Sequence, residues 1–187
     1  VDLYQIHRWD YNTPIEETME ALNDVVKAGK ARYIGASSMY AWQFSKAQYT
    51  AEQHGWVKFV TMQNLYNLIY REEEREMVPL CADQKVGMIP WSPMAKGRLA
   101  KAPGELHTKR FEAETIGRSF FPMSDESDRT IIARVQELAE KHACQMSQIA
   151  LAWHLSKPYI TAPIVGATKP SYLDAAAGVF YIELRAE

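Results

Sequence analysis

A histidine, a pair of serines, an amide and an indole each stand where a run of apolar residues ends. Leu3-Tyr4-Gln5-Ile6 runs into His7, and similar runs reach Ser37-Ser38, Gln63-Asn64, Trp91-Ser92 and Gly166-Ala167-Thr168. An imidazole can donate a hydrogen bond or a proton near neutral pH. Ser37, Ser38 and Gln63 offer hydroxyls and an amide that could hold a carboxamide or a similar neutral polar group. Trp91 offers a flat face for stacking on an aromatic ring. Lys96, Gly97 and Arg98 bring positive charge and backbone freedom suited to phosphates. Gly166 to Ser171, with Lys169 among them, would set backbone N–H groups and a lysine at a helix start, another phosphate-binding arrangement. Each feature has a plainer alternative: a structural histidine, turn residues satisfying loop backbone, a packing tryptophan, a solvated basic loop, an ordinary turn. Glu72-Glu73-Glu74-Arg75 reads as a solvated helix start. His54, His107, His142 and His154 have no partners at ligand spacing, so no metal site is expected.

The elements that must position these residues alternate. The run to His7 reads as a buried strand. Ile15 to Gly29 is predicted to be a helix, with Thr13 as its cap, Pro14 in its first turn and Glu16-Glu17 at its positive end. A short strand over Ala31–Ala36, a helix over Ala41–His54, a strand over Phe59–Gln63, a helix over Glu72–Gln84 and a strand over Val86–Trp91 follow. Residues 93–124 break the rhythm and read as a long lid or binding loop. Helices over Asp128–His142 and Ser147–Ser156, a last strand over Tyr159–Val165 and a last helix over Pro170–Phe180 complete the chain. Strands separated by helices imply a parallel sheet. The Gly-x-Gly-x-x-Gly turn of a doubly wound sheet is missing after the first strand. A (β/α) barrel fits better, but it needs eight units and about 250 residues, so five units make an arc of one.

Composition narrows the function classes. The 187 residues suit one domain, taken as 1–187, with 47% apolar and 24% charged residues. A net charge of -2 and the lack of a basic, aromatic-laced patch argue against nucleic acid. No apolar stretch is long enough to span a bilayer. Cys81 and Cys144, both in helical patterns, read as reduced, buried thiols of a cytoplasmic protein.

Five segments carry a resemblance. Asp2-Leu3-Tyr4-Gln5-Ile6-His7, Lys30-Ala31-Arg32-Tyr33-Ile34-Gly35-Ala36-Ser37, Gln63-Asn64-Leu65-Tyr66-Asn67, Pro90-Trp91-Ser92-Pro93-Met94 and Ile164-Val165-Gly166-Ala167-Thr168-Lys169-Pro170 resemble, in order, signatures of the aldo-keto reductases. The look is that of the family's microbial and fungal branch. The resemblance implies an α/β fold, the (β/α)8 TIM barrel, of which this chain would be strands 4–8 with their helices. It also implies NADPH as cofactor and a small aldehyde or ketone as substrate. His7 matches the histidine that orients and polarises the carbonyl. Ser37, Ser38 and Gln63 match the residues that bind the nicotinamide carboxamide, and Trp91 matches the aromatic that stacks on the nicotinamide. Ser92, Met94, Gly97 and Arg98 match the pyrophosphate loop. Lys169 matches the residue that meets the 2′-phosphate, with Gly166, Thr168 and Ser171 beside it.

The chain departs from the family pattern in places. The family often has Asn where Ser38 stands. Ala175 and Ala176 replace an acidic residue and an Asn near the adenine, which should weaken the grip on that end. The family's catalytic Asp, Tyr and Lys would precede Val1, so the chain reads as a fragment. Without the tyrosine, general-acid help worth roughly 10²–10⁴-fold is missing, and the chain alone is expected to be nearly inactive. The alternative is a truncated relative that binds or regulates, as the related channel beta subunits do, although those carry Asn in place of His7. A barrel hydrolase would want paired carboxylates at strand ends, and no two strands here supply them.

Overall fold

A computed structural model describes residues 1–102 and 126–184. The expected loop over 93–124 therefore lies mostly outside the described residues, as does His107. The chain divides into two compact units. One comprises Val1–Leu65, Glu72–Trp91 and Tyr159–Ala162, and the other Tyr66–Arg71, Ser92–Pro158 and Pro163–Glu187.

The first unit is built on a four-stranded parallel sheet: β1 (Leu3–Gln5), β2 (Tyr33–Ser37), β3 (Phe59–Gln63) and β4 (Gly87–Met88), in that order. Helices α1 (Ile15–Lys27), α2 (Ala41–His54) and α3 (Met77–Asp83) lie between them in sequence. Alternation along the strands divides the sheet into two faces. Ile34, Ala36, Met62 and Met88 point into the core with Met19, Phe44 and Cys81, and all seven are fully buried. The rings of Phe44 and Phe59 stack at 5.9 Å. Gln5, Gly35 and Thr61 form a row across the other face, where register sets Gln5 beside Gly35 and Gly35 beside Thr61. A Cβ on Gly35 would lie 2.2 Å from the Thr61 hydroxyl, so any larger residue there would force the Thr61 side chain to move.

Several elements are shorter than their sequence patterns suggest. β1 is a half-exposed edge strand rather than a buried one, because only β2 pairs with it among the described residues. Thr13 does not cap α1. Its hydroxyl donates to Asp10 at 2.7 Å, and Asp10 also accepts the Asn12 N–H at 2.9 Å. The expected helix over Glu72–Gln84 breaks into a 3-10 turn, Glu72–Glu74, and α3. Pro79 explains the break: in a helix begun at Glu72 its ring would meet an earlier carbonyl, whereas in the first turn of α3 it replaces no hydrogen bond. The expected last strand, Tyr159–Val165, reduces to a bridge between Ile160 and Met88 and a Thr161 N–H bond to the Met88 carbonyl at 2.8 Å. Pro163 carries no N–H with which to extend that ladder. Cys144 lies in a bend rather than a helix and is half-buried, whereas Cys81 is buried in α3.

The ends of α1 and α2 share one pattern. Gly29 and Gly55 adopt left-handed backbone (φ 69° and 65°). After α1, the Lys30 N–H returns to the Val25 carbonyl and the Gly29 N–H to that of Val26. After α2, Trp56 and Gly55 return likewise to Ala51 and Glu52. These paired bonds satisfy carbonyls that a helix end leaves open.

The second unit is helical: α4 (Glu126–Lys141), α5 (Met146–Leu155), α6 (Pro170–Ala177) and a 3-10 turn, Gly178–Tyr181. Leu151 and Ala152 of α5 pack on Val179, with Met94, Val165, Ala176, Ile182 and Leu184 around them. His154 is fully buried, with Nδ1 2.8 Å from the Ala150 carbonyl oxygen and Nε2 2.9 Å from that of Tyr66.

Candidate active site

The carboxyl ends of β2, β3 and β4 bring four expected site residues together. Ser37 ends β2 opposite Gln63, the last residue of β3. The Ser37 hydroxyl donates to the Gln63 carbonyl at 2.7 Å. The next residue, Ser38, has left-handed backbone (φ 47°), which costs a non-glycine residue on the order of 1–2 kcal/mol. That turn aims the Ser38 hydroxyl at Trp91, whose indole N–H donates to it at 3.3 Å. Trp91 is itself fixed by its backbone N–H, 3.0 Å from the Asn64 carbonyl. The Gln63 side chain is half-buried and makes no hydrogen bond among the described residues, which leaves its amide available to a ligand. His7 lies two residues beyond the end of β1 and is exposed.

Sequence reasoning missed two members of this cluster. Asn64 is buried, and its side-chain oxygen accepts the Ser38 N–H at 2.9 Å. Its amide nitrogen donates to Glu73 through a short hydrogen bond. Glu73 is half-buried rather than part of a solvated helix start, and burial first, then the charge of Glu72, pushes its carboxyl up against the lowering effect of Asn64. Asn64 stands directly after its strand as Ser38 does, which is a readable signal. Nothing in the run of three glutamates singles out the middle one. Cys81 lies in the same unit, and burial together with the Glu73 charge pushes its thiol up to about 12.

The remaining expected residues belong to the second unit. Ala95, Lys96 and Gly97 all have positive φ (48°, 56° and 98°). The loop turns its own N–H groups inward. Ala95 bonds the Ser92 carbonyl, Lys96 the Ser92 hydroxyl, Gly97 and Leu99 the Met94 carbonyl, and Arg98 that of Ala95. The Met94 side chain packs in the core. Arg98 is buried, and its guanidinium binds Asp128 at 2.7 Å, so its charge is neutralised within the protein. Gly166, Thr168, Lys169 and Ser171 are exposed around the start of α6, with the Lys169 ammonium 5.8 Å from the Tyr172 ring.

A parallel sheet with helical crossovers, its strand ends carrying hydroxyl, amide and indole groups, is the arrangement of a (β/α)-barrel protein. The chain belongs to the aldo/keto reductase family, whose model matches residues 1–187, and the sheet is part of that family's (β/α)8 barrel. It is 50% identical over 189 residues to versiconal hemiacetal acetate reductase of Aspergillus parasiticus, covering all of this chain and 54% of the relative. It is 48% identical over 184 residues to an aldo-keto reductase of Fusarium vanettenii, covering 98% and 49% of the two chains. An aldo-keto reductase of Metarhizium robertsii is 49% identical over 166 residues, 89% of this chain and 44% of the relative. The chain thus spans about half the length of these curated relatives. Among the described residues, no helix is long and apolar enough to cross a membrane.

Proposed function

We propose that this chain supplies the His7-bearing, nicotinamide-holding part of a cytoplasmic, NADPH-dependent reductase of small aldehydes or ketones. The family membership supports an oxidoreductase acting on carbonyl compounds. The observation that carries the reading is the cluster at the strand ends, where Ser38 and Trp91 are hydrogen-bonded at 3.3 Å beside the half-buried Gln63 amide. Such a cluster fits a flat ring with a carboxamide: the indole face stacks on the ring, and the Gln63 amide and the serine hydroxyls meet the carboxamide. When bound, NADPH supplies the hydride. His7 donates a hydrogen bond to the carbonyl oxygen and so orients and polarises it. The proton on that oxygen comes, in this reading, from a tyrosine outside these residues. The 187-residue chain alone is therefore nearly inactive while still binding the nicotinamide end. Lys169, exposed before α6, is the candidate for the 2′-phosphate, with Gly166, Thr168 and Ser171 beside it. Ser92, Met94, Gly97 and Arg98 remain the candidate pyrophosphate loop, with Arg98 having to exchange Asp128 for a phosphate oxygen.

The chemistry named for the Aspergillus relative, reduction of a hemiacetal acetate, supports an oxygenated carbonyl substrate. NADPH titration by calorimetry tests the reading. We expect measurable binding that Trp91→Leu weakens on the order of tenfold, as the loss of one stacked, hydrogen-bonded ring should. Absence of binding to the wild-type chain would overturn it. A second reading, a non-catalytic binding or regulatory subunit, would use the same strand-end cluster to hold a cofactor without turning it over. The intact mass of the native protein separates the two: 21.4 kDa favours the binding subunit, and a mass near a full barrel favours the reductase.

A further inference from the structure

We propose that Glu73 is a positioning residue for the nicotinamide-holding cluster, acting through Asn64 to hold Ser38, and with it Trp91, in place. The proposal rests on the cofactor reading above. Asn64 is at the centre of three hydrogen bonds. Its backbone carbonyl accepts the Trp91 N–H at 3.0 Å, its side-chain oxygen accepts the Ser38 N–H at 2.9 Å, and its side-chain nitrogen donates to Glu73. An asparagine amide can be turned end for end within the same volume, and its neighbours decide which end goes where. A carboxylate only accepts, so Glu73 fixes the nitrogen toward itself. The oxygen must then face the Ser38 N–H.

That orientation matters because Ser38 is held in left-handed backbone without being a glycine. The bond from its N–H to Asn64 is what secures the turn, and the turn is what carries its hydroxyl to the Trp91 indole. A reversed Asn64 amide would set two N–H donors against each other at Ser38. The turn would then relax, and the indole would lose its acceptor. Glu73 touches neither ligand nor reacting atoms, and it acts only through this chain of bonds.

Two variants and two readings test the idea. Glu73→Gln keeps the shape but lets the amide at 64 reverse, since glutamine can donate as well as accept. Asn64→Asp combined with Glu73→Gln exchanges the polarity. The new carboxylate then accepts from both the Ser38 N–H and the glutamine, which restores every bond. Binding is read by NADPH titration, and position by the indole N–H resonance of Trp91 in ligand-free protein, assigned by its loss in Trp91→Phe. We expect the single variant to shift the resonance and weaken NADPH about tenfold, the effect of one charge-assisted hydrogen bond. We expect the double variant to return both toward wild type. A single variant indistinguishable from wild type, or a double variant no better than the single, overturns the proposal. Should Glu73→Gln not fold, a folded double variant with the wild-type resonance supports it, and failure of the double variant overturns it. Should wild type not bind NADPH, the cofactor reading falls, and the ligand-free resonance still decides the role of Glu73.

Discussion

His154 shows how one buried side chain can set a pH response. Both ring nitrogens face carbonyl oxygens, at 2.8 and 2.9 Å, yet the neutral ring can donate to only one. Burial lowers its pKa below 6.5, and this outweighs the opposing effect of the two carbonyls. The folded state therefore resists a proton that the unfolded chain accepts. Its contribution to stability is whole above about pH 6.5 and falls as the unfolded state protonates below it. Urea titrations between pH 7 and pH 5 should show falling stability, and His154→Gln should flatten that slope while lowering stability throughout. An equal slope in both proteins would exclude the histidine as its source. Among single residues, the meeting of Ser37, Ser38, Gln63 and Trp91 was legible in the sequence because each stands where an apolar run ends. The contact of Glu73 with Asn64, nine residues away, was not, since no periodicity encodes it. The burial of Arg98 was equally hidden, because its partner Asp128 is 30 residues distant.

At the scale of elements, legibility followed the strength of local signals. The boundaries of α2 and β3 match their patterns because glycine and polar residues bound them. The Tyr159–Val165 strand and the unbroken Glu72–Gln84 helix failed for one reason: a proline inside each run outweighs its apolar spacing. The helix-ending pattern of Gly29 and Gly55 recurs where the sequence gives no hint of it. Lys85 and Ala143 also have positive φ (58° and 49°), with Val86 bonded back to Cys81 and Cys144 to Ala139. A side chain there costs roughly 1–2 kcal/mol, partly offset by the lower chain entropy of a non-glycine residue. Ala143→Gly should therefore raise unfolding stability by about 0.5–1 kcal/mol. A thermal melt decides it, and an unchanged or lower midpoint would mean the turn carries no such strain.

At the scale of the whole molecule, the barrel class was legible from the alternation of strands and helices, and the division into two units was not. Units are defined by contacts distant in sequence, which no window of residues displays. The sheet of the first unit has one further consequence. Among the described residues β1 bonds β2 alone, and Tyr4 on it is 48% exposed. Its outer N–H and C=O groups form a template that any extended segment of suitable length can read. Taken by themselves, the 187 residues should thus assemble in a concentration-dependent way. Sedimentation velocity should show larger species as concentration rises, and Gln5→Pro, which removes a donor from the outer row, should suppress them. The same three-residue strand that leads to His7 is, in the language of assembly, an adhesive edge awaiting a partner strand, whichever molecule carries it.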